Sequence, residues 1–405
     1  MTLIACLTLA TAPADFYLES GDRVLFYGDS ITEQRLYTTY VETFVLTRYP
    51  GLKVDFFPCG IGGDATWGGW TGSSEERVKR DLAPRKPTKI TVMLGMNDGG
   101  YVPFDPKIYA IFQEWYGKLL GWMHTAAPGA QYTLIGSSPY DDIGHPDTMF
   151  KGYNETVKRF GDYVGTLAKK EGAGYVSFNQ PVTDLVAKVK AKNPEQAKDI
   201  LPDGIHPGPN GHLVMASQLL KLWNADGMVS DVTLDGEKST VVRFSKAVVT
   251  GLKDLAWNQQ DESLPFPHDA AYKLALENTD FDETMNRQML TVENLAPGKY
   301  RLSIDDKPVT ELDAEAWAKG VNLAIYDTPM RRQAGEVLDR ATKRNEVYFE
   351  RWHKIEFVLG GYPSAKQASD AMAKLQEDIH REEIALAQPK AHRYKLEKTG
   401  SSLRD

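Results

Sequence analysis

Cysteine is almost missing from this chain: Cys6 and Cys59 are the only two among 405 residues. No disulfide framework can organise the fold, and no cysteine-rich metal site can be assembled. An excess of basic residues is missing too. Lysine and arginine number 47 against 55 aspartates and glutamates, a formal net charge of -8, which argues against nucleic acid or an anionic membrane surface as partner. Beyond the first fourteen residues no stretch approaches the roughly eighteen uninterrupted apolar residues of a membrane span. No internal repeat of useful period and no long low-complexity tract occurs. What is present is ordinary globular usage, 42% hydrophobic and 25% charged, at a length that exceeds one hydrophobic core and predicts two or three domains.

The opening MTLIACLTLATAPA is nearly all apolar or small, and Ala12, Pro13 and Ala14 supply an A-x-A pattern before the polar DFYLES. Residues 1–14 therefore read as a signal remnant without its basic region, and the protein as exported, periplasmic or secreted. Leu3, Ile4, Ala5 and Cys6 also resemble a lipobox, a weaker alternative because Cys6 lies so near Met1. Cleavage at Ala14 would leave Cys59 alone. Following the apolar VDFFP, it reads as a small core residue.

From Arg23 to about Trp223, short apolar runs alternate with amphipathic segments, the pattern of a parallel sheet flanked by helices. RVLFYG, KVDFFPCG, KITVMLG, QYTLIGS and GYVSFN read as strands. The stretches 33–48, 74–82, 105–125, 151–171 and 211–223 carry helical spacing. Residues 15–228 are thus expected to form a three-layer α/β/α domain with a flavodoxin-like parallel sheet. From about 229 to 310 the period changes to two, punctuated by Asp-Gly and Pro-Gly turns, which predicts a small β-rich accessory module. Residues 311–405 read as helices without strands between them, packing back onto the first domain.

Four short motifs carry chemistry. YGDSIT puts Ser30 where the first strand gives way to a loop, at the carboxyl edge where open α/β sheets bind ligands. GIGGDAT, residues 60–66, follows the second strand, and its glycines let backbone approach a ligand closely. GMND, residues 95–98, delivers Asn97 to the same edge. DGIHPGPNGH, residues 203–212, places Asp203 three residues before His206, close enough for one tight turn to bring carboxylate to imidazole. Singly, each also reads as an ordinary turn or helix cap. Their order, with three of the four at strand ends, is what distinguishes them.

At these blocks the chain resembles the SGNH, or GDSL, hydrolase family, with Ser30, Gly63, Asn97 and His206 at the four signature positions of residues 23–223. The resemblance implies a serine hydrolase whose oxyanion donors are the Ser30 NH, the Gly63 NH and the Asn97 amide. Ser30, His206 and Asp203 then take the nucleophile, base and orienting roles of a triad, which calls for no metal and no organic cofactor. His212 reads as surface or structural rather than as an alternative base, and Asp29 as part of the nucleophile turn. His124 and His145 lack partners at metal-ligand spacing.

Trp67 and Trp70 follow the oxyanion loop, and Tyr101 and Tyr140 follow other strand ends. All four are candidate substrate-binding residues, or else packed aromatics of a lid or core. With export and the accessory module, the aromatics point to an acylated glycan as partner and to removal of small acyl groups, acetyl above all. A lipid esterase or thioesterase, an acyltransferase using the same triad, and a non-catalytic glycan-binding protein are the alternatives. Fold and triad alone do not choose among them.

Overall fold

The computed structural model describes residues 15–145 and 147–399; the apolar opening segment with Cys6, on which the reading of export rests, lies outside the described residues. Five strands, β1 (Arg23–Gly28), β2 (Asp55–Gly60), β3 (Lys89–Leu94), β4 (Gln131–Gly136) and β5 (Gly174–Ser177), form one sheet in the order β2-β1-β3-β4-β5. Every pairing in it is parallel. This is the three-layer architecture expected from the alternating pattern.

Helices cover both faces, so the strands are apolar on both. In β1, Val24 and Phe26 enter one core cluster and Leu25 and Tyr27 the other, the two-residue alternation of a pleated strand. Each such side chain contributes about 1.5–3 kcal/mol by leaving water. The covering helices include α1 (Leu36–Arg48), α2 (Pro106–Ala126), α3 (Tyr153–Glu171), α4 (Asn179–Lys192) and α5 (Pro209–Leu222). Helix α4 is absent from the sequence reading. Its buried Val182, Leu185, Val186 and Val189 recur at the three- and four-residue spacing of a helical face.

The accessory module is a pair of sheets around its own core, which includes Trp257, Leu290, Leu302 and Trp317. One sheet joins β6 (Met228–Asp235), β7 (Thr240–Ser245), β10 (Arg287–Glu293) and β13 (Val321–Asn322). The other joins β8 (Ala247–Lys253), β9 (Ala256–Asp261), β11 (Lys299–Ile304), β12 (Lys307–Asp313) and β14 (His392–Thr399). Here the reading of 311–405 as wholly helical is corrected. Strand β14 is central, pairing with β9 on one side and β11 on the other. Its physical cause is visible in HRYKLEKT, where Tyr394 and Leu396 are buried between charged neighbours.

Between β13 and β14 the chain leaves the sandwich as a helical hairpin, α6 (Pro329–Phe349) running into a π-helical stretch Glu350–Val358 and then returning as α7 (Ala365–Leu386). Helix α6 lies against α1. Asn345 donates to Thr39 at 3.0 Å and to Glu42 at 2.8 Å, and the Tyr348 hydroxyl lies 3.3 Å from the buried Cys59 sulfur. No helix among the described residues is long and apolar enough to cross a membrane.

Candidate active site

Parallel pairing sets Gly28 at the end of β1 beside Gly60 at the end of β2, so the segments that follow leave from adjacent points of one sheet edge. After β1 the chain turns at once into a single helical turn, Ser30–Glu33, capped by Asp29, whose carboxylate accepts the Ile31 NH at 3.0 Å. Gly60 must be glycine: a Cβ there would come within 2.1 Å of the Glu33 nitrogen. The nucleophile turn is therefore pressed directly onto the start of the glycine loop.

The His206 segment arrives from the far side of the sheet. Asp203 Oδ1 accepts the Ile205 NH at 2.9 Å and the His206 NH at 2.7 Å, an Asx turn. The turn leaves Oδ2 free to face the ring, 2.7 Å from His206 Nδ1. His206 Nε2 in turn lies 2.7 Å from Ser30 Oγ. Partial burial of Asp203 opposes its ionisation, but the hydrogen bonds from His206 and Ile205 outweigh it and hold the carboxyl below its ordinary value. A carboxylate that stays charged can orient the ring and stabilise an imidazolium.

The loop after β2 is held by buried ionic contacts. Arg77 and Asp64 pair at 2.6 Å with neither side chain exposed, and the Arg77 guanidinium lies 3.9 Å over the Tyr27 ring while also donating to the Cys59 carbonyl. The loop after β3 is tied to it twice. Asn97 Nδ2 donates to the Asp64 carbonyl at 2.9 Å, and Asp98 accepts both the Thr66 NH at 2.8 Å and the Thr66 hydroxyl at 2.6 Å. Burial raises the Asp98 pKa to about 6 and that of Asp29 to about 7, against the hydrogen bonds each accepts. Gly63 is exposed with φ 78°, a left-handed turn that glycine adopts without strain.

The four aromatic candidates separate. Trp67 and Trp70 are exposed, at 38% and 63%, and Trp70 also donates to the Gly62 carbonyl at 3.1 Å. Tyr101 is half-buried, and its hydroxyl donates to Asn97 Oδ1 at 3.0 Å. That bond commits the Asn97 carbonyl and points its amide nitrogen back toward Asp64. Tyr140 does not reach the rim, and its expected substrate contact is corrected. Only 3% of it is exposed, because the segment after β4 runs inward, where the Asp141 NH donates to the Gly204 carbonyl at 2.8 Å. Its ring packs on Tyr153 and Phe150, and the segment props the loop bearing Asp203 and His206.

His212 is fully buried, with Nδ1 accepting the Tyr37 NH at 3.1 Å and Nε2 2.8 Å from Gln34 Oε1. Burial pushes its pKa down to about 3, so it is a neutral structural ring. His145 Nε2 lies 2.7 Å from the Leu201 carbonyl, and His124 is exposed beside Glu171. Among the described residues no three His, Cys, Asp or Glu side chains converge as a metal-ligand set. Glu33, Asp64, Arg77 and Asp98 were not singled out by the sequence reading. Asp64 and Asp98 stand next to named motif residues, which was the available signal; the pairing of Arg77 with Asp64 emerges only on folding.

Beside Asp203 opens a crevice of about 480 Å³, lined among others by His145, Thr148, Lys190, Glu195 and Lys198. Its charges are of both signs. It therefore presents charged donors and acceptors side by side.

Residues 26–214 match the model of the GDSL-like lipase/acylhydrolase family. No curated protein sequence matches the chain. Among solved structures, a gut microbial diltiazem-metabolizing enzyme is similar at 24% identity and TM-score 0.83, covering 94% of this chain and 98% of that one. This likeness shows that the hydrolase layer, β sandwich and helical hairpin together make a shared fold. An acetylxylan esterase from Geobacillus stearothermophilus aligns at 20% identity and TM-score 0.41, over 51% of this chain and 96% of its own. A GDSL-like lipase from Parabacteroides merdae aligns at 17% identity and TM-score 0.40, over 53% and 100%.

Proposed function

Residues 26–214 form a domain of the GDSL-like lipase/acylhydrolase family, and on that premise we propose that the protein is a serine esterase that removes small acyl groups, acetyl above all, from a carbohydrate. The observation that carries the reading is the unbroken hydrogen-bond chain from Ser30 Oγ through His206 to Asp203, 2.7 Å at each step. Ser30 Oγ attacks the ester carbonyl as His206 Nε2 takes its proton. The oxygen that becomes negative is met by the Ser30 and Gly63 NH groups and the Asn97 amide. Collapse expels the alcohol, to which His206 returns the proton, and leaves an acyl group on Ser30. Water then repeats the sequence in reverse and releases the acid.

The sugar side of the reading rests on the crevice beside Asp203. The crevice opens beyond His206 as seen from Ser30, and its lining mixes donors and acceptors of both charges with apolar surface. Such a surface suits a neutral polyhydroxy ring. The apolar first fourteen residues, read as an export signal, would bring the enzyme to extracellular glycan.

A small aromatic ester is the second reading. It is favoured by the exposed faces of Trp67 and Trp70, and the structure similar over nearly the whole chain is named for metabolising diltiazem. Acetate release from a panel of acetylated oligosaccharides and polysaccharides, run against aryl acetates, tests the choice. Release confined to aryl acetates would exclude the carbohydrate substrate.

A further inference from the structure

Resting on that esterase reading, we propose that Trp70 is a positioning residue whose indole N–H fixes the Gly62–Gly63 peptide, and that His353 and Phe357 of the C-terminal helical hairpin hold the indole in place. The Gly62 carbonyl, which accepts the Trp70 Nε1–H at 3.1 Å, and the Gly63 NH belong to one planar peptide unit. Fixing the oxygen of a planar unit therefore fixes the direction of its N–H. The Gly62 end of the peptide also packs against the nucleophile turn: a Cβ on Gly62 would come within 2.6 Å of the Glu33 carboxylate and 3.9 Å of the Ser30 Cβ. Trp70 thus controls one of the donors that must meet the negative oxygen beside Ser30.

An indole 63% exposed to solvent does not hold itself. Its ring meets His353 nearly edge-on at 5.6 Å between centroids and Phe357 at 5.9 Å. Both residues belong to the π-helical stretch Glu350–Val358. His353 is only 2% exposed, and neither ring nitrogen has a hydrogen-bond partner. It is stacked on Phe349 at 4.7 Å with its plane 10° away, and the Arg35 guanidinium lies 4.1 Å over the Phe349 ring. The ring acts as an aromatic pad, not as a proton carrier. Phe357 is backed by the Arg80 guanidinium at 3.9 Å. A segment far along the chain, inserted between the last two strands of the β sandwich, in this way completes the oxyanion loop of the hydrolase domain.

Trp70→Phe keeps a ring against His353 and Phe357 and removes only the N–H. With p-nitrophenyl acetate, kcat should fall roughly 10- to 50-fold, less than the roughly 10²–10³ of losing a donor outright, with KM and the melting temperature nearly unchanged. Inactivation by a p-nitrophenyl phosphonate, whose phosphoryl oxygen seeks the same donors, should slow in the same ratio. Phe357→Ala should move both rates in the same direction by a smaller factor, and carries the test if Trp70→Phe does not fold. A Trp70→Phe enzyme with kcat unchanged, or with KM raised and kcat kept as for a mere substrate wall, would overturn the proposal. Unaltered rates in Phe357→Ala would overturn the part assigned to the hairpin. Ser30→Ala is the control for the underlying reading: turnover retained there would sink the serine-esterase assignment itself, whereas turnover lost there and kept in Trp70→Phe would sink the positioning role alone.

Discussion

His206 Nε2 lies 2.7 Å from Ser30 Oγ although 176 residues separate them in the chain. The separation is bridged by a parallel sheet: Ser30 leaves the end of β1, and the His206 loop is clamped to the end of the β4 segment through Asp141 and Gly204. Replacing Asp203 by Asn would turn an acceptor for the ring N–H into a donor and favour the wrong tautomer. Turnover on p-nitrophenyl acetate should fall by about 10³–10⁴ without loss of fold. A Asp203→Asn enzyme with more than a tenth of normal kcat would show that the carboxylate does not orient the base.

Asn97 and Tyr101 should act in series. Asn97→Ala removes a proposed oxyanion donor and should lower kcat by about 10²–10³, or about 2.7–4 kcal/mol of barrier. Tyr101→Phe removes only the hydroxyl that fixes Asn97 Oδ1 at 3.0 Å. Loss of one such neutral hydrogen bond costs about 1 kcal/mol, so kcat should fall severalfold. The double variant should be no slower than Asn97→Ala. Additive losses would mean that Tyr101 acts on substrate directly.

Asp29 gives stability a pH slope. Burial raises its carboxyl from 3.8 to about 7 in the folded protein. Folding therefore takes up a proton between those values, so the stabilising contribution is complete below the unfolded value and is lost as pH rises toward 7. Asp98, raised to about 6 by burial, adds a slope of the same sign over a narrower window. Denaturant midpoints measured from pH 4 to pH 8 should decline less steeply in Asp29→Asn than in the unsubstituted protein. Parallel curves would show that Asp29 titrates normally.

His212 should matter for folding and not for chemistry. Its removal leaves the Tyr37 NH buried without the acceptor now 3.1 Å away, a cost of about 1–3 kcal/mol. His212→Ala should therefore lower the denaturant midpoint while turnover per folded molecule stays intact, whereas His206→Ala should do the opposite. Equal loss of turnover in both would reopen the choice of base.

The hydrolase sheet was legible because each strand is a compact apolar run closed by Gly, Ser or Asn, and the motif loops were legible because they sit where those runs end. The sandwich was legible in part. RYKLEK alternates as a strand should, but it follows a long helix and pairs with segments about a hundred residues away or more, so its place in the sheet centre depended on non-local pairing. Arg77 offered no local sign of its burial on Tyr27, since a charged residue is ordinarily exposed. Tyr140 stayed open between rim and core for the converse reason: nothing in SSPYDD says whether a strand-end loop turns outward or inward.

Arg344 supplies the last prediction, because it fastens the hairpin to the hydrolase domain. It pairs with Glu42 on α1 and, at 3.0 Å, with Glu383 on α7, and all three side chains are almost wholly buried. His380 Nδ1 stands 2.9 Å from the same Glu383 carboxylate. Removing the shared cation leaves two buried carboxylates facing each other with no charge between them, which costs about 3–5 kcal/mol when a buried pair is broken. Arg344→Met should therefore destabilise the protein by that amount. Replacing all three together, with Glu42→Leu and Glu383→Leu, should recover most of the loss, because the penalty belongs to the orphaned charges and not to the absent pair. If Arg344→Met alone proved as stable as the parent, the guanidinium would not be the fastening, and the hairpin would be held on α1 by Asn345 and its apolar face instead.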